Sequence, residues 1–293
     1  MYAIKTEKLT KSYGASRGIE NVDLVVEKGD FFGFIGPNGA GKSTTIRTLL
    51  GLISKTSGEA QVLGKDIAAN RTEILKDVGY MPSDNAFYSG TKVSDMLKLS
   101  ANLRGLDCTE EAKRLAQRLE VDLDRKISEL SFGNRKKVGI ILALQHKPGL
   151  YILDEPTSGL DPLMQREFYS ILKERNEEGA TVFLSSHVLS EVGKYCKNAA
   201  VIRDGKILVT DSVKNLAHTG IKKVLVTGVE NIPEIDGAKN LKLDGGRLTF
   251  FYDKSAKNLV NELGKLEFSD INITDPDLEE VFMHYYVREG SAV

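Results

Sequence analysis

The feature that most restricts the fold of this chain is a short glycine-rich segment near its N-terminus. The segment "GPNGAGKST", residues 36–44, matches the pattern G-x-x-x-x-G-K-[ST]. It follows the apolar run "DFFGFIG" and precedes the helical pattern "KSTTIRTLLGL". Glycines let the backbone wrap tightly, so that its N–H groups and the start of the following helix point at the oxygens of a phosphate. The segment therefore predicts a strand, a phosphate-binding loop and a helix, in that order.

Two side chains at the end of this loop carry the chemistry that a phosphate site needs. The ammonium of Lys42 can reach the β- and γ-phosphates of a nucleotide, and the hydroxyl of Ser43 can bind Mg²⁺. A glycine-rich turn that merely starts a helix is the simpler alternative. The strand pattern before the loop and the helix pattern after it favour the nucleotide site.

Polar residues also follow two apolar segments farther along the chain. Asp154 and Glu155 end the predicted buried strand "LYIL", at the edge of a parallel sheet where ligands bind. Asp154 is placed to hold Mg²⁺, directly or through water, and Glu155 to orient or deprotonate an attacking water. His187 ends "VFLSS" and either packs locally or contacts a γ-phosphate. Two acids at a strand end are by themselves most often a turn, but combined with the phosphate loop they favour a nucleotide hydrolase.

Strand and helix patterns alternate up to about residue 215, which predicts an α/β fold with a mostly parallel sheet. Residues 1–215 form the predicted nucleotide-binding domain, with a helix-rich insert at about residues 88–145. The insert contains the amphipathic segment "TEEAKRLAQRLEV", which starts at Thr109. Residues 221–289 predict a small α+β module in the order strand, hairpin, helix, strand, helix, with Asp244-Gly245-Gly246 as the hairpin turn.

The composition argues against several classes of protein. The net charge of the 293 residues is −1, so nothing predicts attraction to nucleic acid. The segment "MYAIKTEKLTKSYG" lacks the apolar stretch of a secretion signal, and no segment approaches the ~18 apolar residues of a membrane helix. Cys108 and Cys196 lie far apart in the sequence, so we expect two buried, reduced thiols.

Five motifs together resemble the ATP-binding cassette (ABC) family. They are, in the order of the family, residues 36–44, "LSFGN" at 130–134, "LDEP" at 153–156, "SGLD" at 158–161 and His187. The resemblance spans residues 1 to about 215, and five motifs in register are highly specific. It implies a P-loop NTPase cassette that binds and hydrolyses ATP with Mg²⁺.

The resemblance implies a role for each matching residue. Glu155 and His187 match the catalytic Glu and the switch His, and Asp154 and Ser43 match the metal ligands. Tyr13, in "KSYGASRGI", matches the aromatic residue that stacks on adenine, although a tyrosine near a strand end also packs without any ligand. The residues implied to bind ATP are Tyr13, Gly36, Asn38, Gly39, Ala40, Gly41, Lys42, Ser43 and Thr44.

Residues 130–134 resemble the signature loop of the family, which in relatives contacts the γ-phosphate of ATP bound to the other subunit. Ser131 and Gly133, at the start of a predicted helix, suit an anion. The residues implied to contact the partner's ATP are Ser131, Gly133, Asn134 and Asp161. Because each chain holds one cassette, the resemblance implies a dimer, either with an identical chain or with a similar cassette.

Two places depart from the family pattern. Phe132 and Asn134 replace the commonest Gly and Gln of the signature, a change also common among bacterial exporters. Ser83 stands where most relatives place a Gln near Mg²⁺. Asp84, which follows it, is either a water-mediated substitute for that metal contact or a turn residue.

The region from "DEPTSGLDP" to "LSEV" and the tail "DPDLEEVFMHYY" look like the motor subunits of bacterial exporters for drugs and peptide antibiotics. This resemblance implies ATP-driven export through a separate multi-span membrane permease, at the cytoplasmic side of the cell membrane. The alternatives are the motor of an importer and a soluble, non-transport cassette. A guanine-specific GTPase is disfavoured because the sequence has no Asn-Lys-x-Asp segment.

Overall fold

The computed structural model describes residues 1–14, 16–88, 90–217, 221–276 and 280, without the side chain of residue 17. The chain divides into two compact units, Met1–Asp211 and Ser212–Val293. In the part of the chain that is described, no helix is both long and apolar enough to cross a membrane. The helix predicted from "DLEEVFMHYYVRE" lies outside the described residues, apart from Glu280.

The first unit contains ten strands and seven α-helices within the residues that are described. The strands are β1 (Tyr2–Tyr13), β2 (Ser16–Glu27), β3 (Phe31–Ile35), β4 (Ser57–Val62), β5 (Lys65–Asp66), β6 (Val78–Met81), β7 (Leu150–Asp154), β8 (Thr181–Ser186), β9 (Asn198–Arg203) and β10 (Lys206–Ser212). The helices are α1 (Lys42–Leu49), α2 (Arg71–Asp77), α3 (Val93–Arg104), α4 (Thr109–Arg118), α5 (Phe132–Leu144), α6 (Pro162–Glu177) and α7 (Leu189–Tyr195).

A six-stranded sheet with the order β10-β9-β3-β8-β7-β6 forms the centre of this unit. The pairs β3/β8, β3/β9, β7/β8 and β6/β7 are parallel. Every residue of β3, β7 and β8 is buried, because parallel strands are normally covered on both faces. The predicted parallel α/β core is therefore confirmed.

A second sheet, with the order β2-β1-β4-β5, has only antiparallel pairs. The alternation of apolar and polar residues in "NVDLVVE" indicates a strand where β2 lies, but it does not separate this sheet from the parallel one. The cause is that alternation shows that one face is buried without showing which strand lies beside it. Leu24 of β2 and Phe34 of β3 belong to one buried apolar cluster, so the two sheets share a core.

The predicted helix-rich insert is observed as α3, α4, a short 3₁₀ helix (Ile127–Glu129) and α5. Thr109 is the first residue of α4, and Asp107 provides its hydrogen-bond acceptor. Asp107 Oδ1 accepts hydrogen bonds from the Thr109 N–H at 2.9 Å and from the Thr109 hydroxyl at 2.6 Å. Cys108 and Cys196 are buried and free, as the sequence predicts.

The second unit contains α8 (Val213–Ala217), β11 (Lys222–Thr227), β12 (Ala238–Asp244), β13 (Arg247–Tyr252), α9 (Ala256–Leu263) and β14 (Asp270–Thr274). Its sheet has the order β12-β13-β11-β14 with antiparallel pairs. The turn between β12 and β13 contains Gly245 at φ 54° and Gly246 at φ 77°, a conformation that favours glycine at both positions. The predicted strand, hairpin, helix and strand are all observed.

Candidate nucleotide site

The glycine-rich loop joins β3, in the middle of the parallel sheet, to α1. Gly39 and Gly41 have φ values of 81° and 109°, which side chains rarely adopt. A Cβ on Gly36 would lie 2.4 Å from the carbonyl oxygen of Ile202. The backbone path and the close approach of β9 together require glycines, so the loop geometry explains the motif.

A cavity of about 500 Å³ opens in front of this loop at the N-terminus of α1. Its position favours an anion, because the free N–H groups of the first helical turn point outward there. The residues that line it are Gly18, Pro37, Asn38, Gly39, Gly41, Lys42, Ser43, Thr44, Ser83 and Glu155. The structure therefore brings six of the eight predicted loop residues (all but Gly36 and Ala40) and one predicted catalytic residue, Glu155, to a single cavity.

Lys42 is the charged group at the base of this cavity. Its side chain is 6% exposed, and its Nζ lies 3.1 Å from Glu155 Oε1. The same ammonium donates hydrogen bonds to the carbonyls of Gly36 at 2.6 Å and Pro37 at 3.2 Å. A buried charge needs such partners to offset the loss of water. Lys42 thus places a fixed positive charge where phosphate oxygens are expected.

Asp154, the last residue of β7, is fully buried. Its Oδ1 accepts a hydrogen bond from Ser185 Oγ at 2.6 Å, whereas its Oδ2 has no hydrogen-bond partner among the described residues. A buried carboxylate oxygen without a donor is costly unless a cation binds it. Hard cations such as Mg²⁺ prefer carboxylate and hydroxyl oxygens, so Asp154 and the cavity residue Ser43 fit a Mg²⁺ ion.

Glu155 contacts both Lys42 and His187. Its backbone φ is 49°, which is uncommon for a residue other than glycine. Its N–H donates hydrogen bonds to both the carbonyl and the hydroxyl of Ser185 at 3.2 Å. One carboxylate oxygen pairs with Lys42, and the other accepts from His187 Nδ1 at 2.7 Å. His187 is half exposed. Glu155 therefore links Lys42 and His187 through its two carboxylate oxygens.

The signature segment lies elsewhere on the unit. Ser131 caps α5, and its Oγ accepts the N–H of Asn134 at 3.3 Å. A Cβ on Gly133 would lie 2.9 Å from the carbonyl oxygen of Gly159. Asp161 caps α6 by accepting two backbone N–H groups at 3.1 and 3.0 Å. We call residues 131–134 and 159–161 the signature surface; none of its residues lines the phosphate cavity.

Six further predicted residues are also absent from the cavity lining: Tyr13, Gly36, Ala40, Asp84, Asp154 and His187. Tyr13, at the end of β1, is 46% exposed, and Lys11 Nζ lies 5.0 Å from the centre of its ring. Asp84 is exposed, so its carboxylate is not brought among the cavity residues. Its neighbour Ser83 does line the cavity, and the Ser83 carbonyl accepts a hydrogen bond from Lys136 Nζ at 2.7 Å.

The sequence analysis missed Ser185 and Lys136. Ser185 orients both Asp154 and Glu155, and its signal is a pair of serines inside the otherwise apolar strand "VFLSS". Lys136 stands in the basic run Arg135-Lys136-Lys137, and in the structure its side chain is 2% exposed. No sequence pattern distinguishes this buried lysine from its neighbours, because its contact is made by a loop 53 residues away.

Comparisons with known proteins agree with this geometry. The family model described as ABC transporter matches residues 19–158. The bacitracin transport ATP-binding protein of Bacillus licheniformis is 39% identical over 212 residues, which cover 70% of this chain and 68% of that protein. The linearmycin resistance ATP-binding protein of Bacillus subtilis is 29% identical, covering 96% and 97%.

A solved structure of the ATP-binding subunit of an ABC transporter superposes with a TM-score of 0.69 at 29% identity, covering 73% of this chain and 91% of that one. The fold, the phosphate cavity with its acidic residues, and these similarities lead to one conclusion. The chain belongs to the ABC transporter family, as an ATP-binding subunit that hydrolyses ATP with Mg²⁺.

Proposed function

We propose that this subunit is the motor of an exporter of amphipathic molecules such as drugs or peptide antibiotics. The similar proteins named for bacitracin transport and linearmycin resistance support this direction and this class of cargo. The observation that carries the ATPase mechanism is the ion pair of Lys42 with Glu155 in the cavity at the N-terminus of α1. Asp154, the residue before Glu155, adds a buried carboxylate oxygen that has no hydrogen-bond partner among the described residues.

The loop residues and Lys42 hold the phosphates of ATP. The N–H groups from Gly39 to Thr44 bind phosphate oxygens without any reorganisation, because the loop glycines already fix the backbone. Ser43 and Asp154 hold Mg²⁺, which when bound neutralises charge on the β- and γ-phosphates. Tyr13 offers its exposed ring to the adenine.

Glu155 is the catalytic base in this proposal. Its carboxylate lines the cavity and can take a proton from a water molecule that attacks the γ-phosphate. His187 is a catalytic residue at the rim: its hydrogen bond at 2.7 Å holds the Glu155 carboxylate in a single orientation. The exposed side of the His187 ring remains available to the γ-phosphate.

A second cassette completes each site. Ser131, Gly133, Asn134 and Asp161 lie on the signature surface, away from the cavity of their own chain. The N-terminus of α5 at Ser131 has the same attraction for an anion as the N-terminus of α1. Two chains facing each other bring each signature surface to the partner's ATP, so the active form is a dimer around two ATP molecules.

The membrane partner in this proposal is a separate multi-span permease, which holds the dimer at the cytoplasmic side of the cell membrane. Residues 1–215 act as the cassette, and residues 221–289 act as an accessory module. No membrane-spanning helix occurs in the described part of this chain.

The test is reconstitution of this subunit with the permease encoded beside its gene, in vesicles that expose the ATP sites. Adding bacitracin as a probe is expected to raise ATP turnover and to drive bacitracin into inside-out vesicles. Lys42→Ala is the matched control and removes both effects. Movement of the probe in the opposite direction would establish an importer, and turnover that is independent of any permease would contradict the motor role.

A further inference from the structure

Lys136 is a buried cation near the start of α5. Its side chain is 2% exposed, and no carboxylate oxygen of the described residues lies within 4.0 Å of its ammonium. Its Nζ donates a hydrogen bond to the carbonyl of Ser83 at 2.7 Å. Burial of an ammonium against a neutral partner is costly, so this contact is not explained by stability alone.

Two of the carboxylates that act on Lys136, those of Asp154 and Glu155, belong to the proposed nucleotide site, and the third, that of Asp84, is exposed. Burial lowers the pKa of the Lys136 ammonium, while the carboxylates of Asp84, Asp154 and Glu155 act in the opposite direction. The lysine therefore lies in the electrostatic field of the residues that hold the metal and activate water, although it is on the helix that carries the signature surface.

The hydrogen bond joins two functional regions within one chain. Ser83 is part of the wall of the phosphate cavity, together with Lys42 and Glu155. Lys136 and the capping residue Ser131 belong to the same helix, which moves as a rigid element because its backbone hydrogen bonds are continuous. The Lys136–Ser83 hydrogen bond is thus a direct charged link between the wall of the cavity and the helix that Ser131 caps.

We propose that Lys136 is a positioning residue that couples ATP occupancy of the phosphate cavity to the placement of the signature surface on the same chain. Lys136 touches neither ATP nor the attacking water. It acts through the Ser83 carbonyl, and its effect appears in the affinity of one ATP-loaded chain for another. This inference rests on the proposed dimeric function.

Lys137 provides a matched control. It is the next residue of α5 and is 7% exposed, and no hydrogen bond or ion pair of its ammonium is found among the described residues. Lys136→Met and Lys137→Met remove the same charge from the same helix and keep the apolar stem. Lys136→Arg keeps the charge and the donors at position 136.

The experiment measures two quantities in a Glu155→Gln background, where ATP persists. Isothermal titration with MgADP gives the affinity of the cavity, and sedimentation in MgATP gives the dimerisation constant. Lys136→Met is expected to leave MgADP affinity within about twofold and to weaken dimerisation by about tenfold, the effect of losing a hydrogen bond to a charged group. Lys137→Met changes neither, and Lys136→Arg recovers the dimer.

Dimerisation of Lys136→Met that equals the parent, or an equal loss in Lys137→Met, would overturn the coupling while leaving the proposed function intact. A parent that binds MgATP without forming a dimer would overturn both. If thermal melting shows that Lys136→Met is unfolded, Lys136→Gln takes its place, since it removes the charge and shortens the donor side chain by one bond while staying polar.

Discussion

The phosphate cavity and the signature surface are both built on the N-terminus of a helix, yet they differ in how complete they are. In the cavity, Lys42 pairs with Glu155, and Glu155 also bonds to His187. On the signature surface, Ser131 bonds to the backbone of its own helix cap. The first region has its charged groups in place within one chain, whereas the second presents exposed anion-binding geometry without the charges that would react. In the proposed dimer, one chain therefore supplies the reacting groups of each site, and the signature surface of its partner closes that site.

Removing the proposed catalytic base gives the largest expected effect. Glu155→Gln keeps the size of the side chain but cannot accept a proton, so ATP turnover is expected to fall by about 10²–10⁴-fold. ATP should still bind, because the loop and Lys42 are intact, and a persistent dimer should appear by size-exclusion chromatography in MgATP. Glu177→Gln, at an exposed position that pairs with Lys173, is the control. Near-normal phosphate release in Glu155→Gln would remove Glu155 from the catalytic role.

Mixing two inactive variants tests whether the two regions complete each other between chains. In the Lys42→Ala homodimer, both phosphate cavities lack the lysine that binds phosphate. In the Ser131→Arg homodimer, both signature surfaces are obstructed by the arginine side chain. In the mixed dimer both lesions fall into one shared site, so the second site is intact. We expect one trapped nucleotide per mixed dimer and none in either homodimer. A verified mixed dimer that traps no nucleotide would mean that each signature surface serves its own chain.

The smallest effect separates the structural role of Ser131 from its functional one. Ser131→Asp keeps an N-cap of equal quality, so the melting temperature should stay close to that of the wild type. Its negative charge repels a phosphate, and ATP-driven dimerisation is expected to weaken by at least about tenfold. Ser255→Asp, which changes the equivalent cap of α9, is the control. Equal dimerisation by the two variants would show that Ser131 is only a cap.

Local geometry made the phosphate loop predictable from sequence. Strand, loop and helix are consecutive, and the positive φ values of Gly39 and Gly41 are a property of the backbone at those positions. The same holds for the turn at Gly245 and Gly246, where two glycines permit a two-residue hairpin. In each case the interactions that define the structure lie within a few residues, so the residue types record them directly.

The tertiary structure decided which of these local pieces meet. The chain order β3, β7, β8 becomes the spatial order β3-β8-β7, which brings His187 to Glu155 and Glu155 to Lys42. The antiparallel sheet around β1 and the contact of Lys136 with Ser83 arise in the same way. Alternation and motif spacing specify which face of an element is buried and which residues carry charge. They do not specify its neighbours, because those are selected by the packing of whole strands and helices against one another.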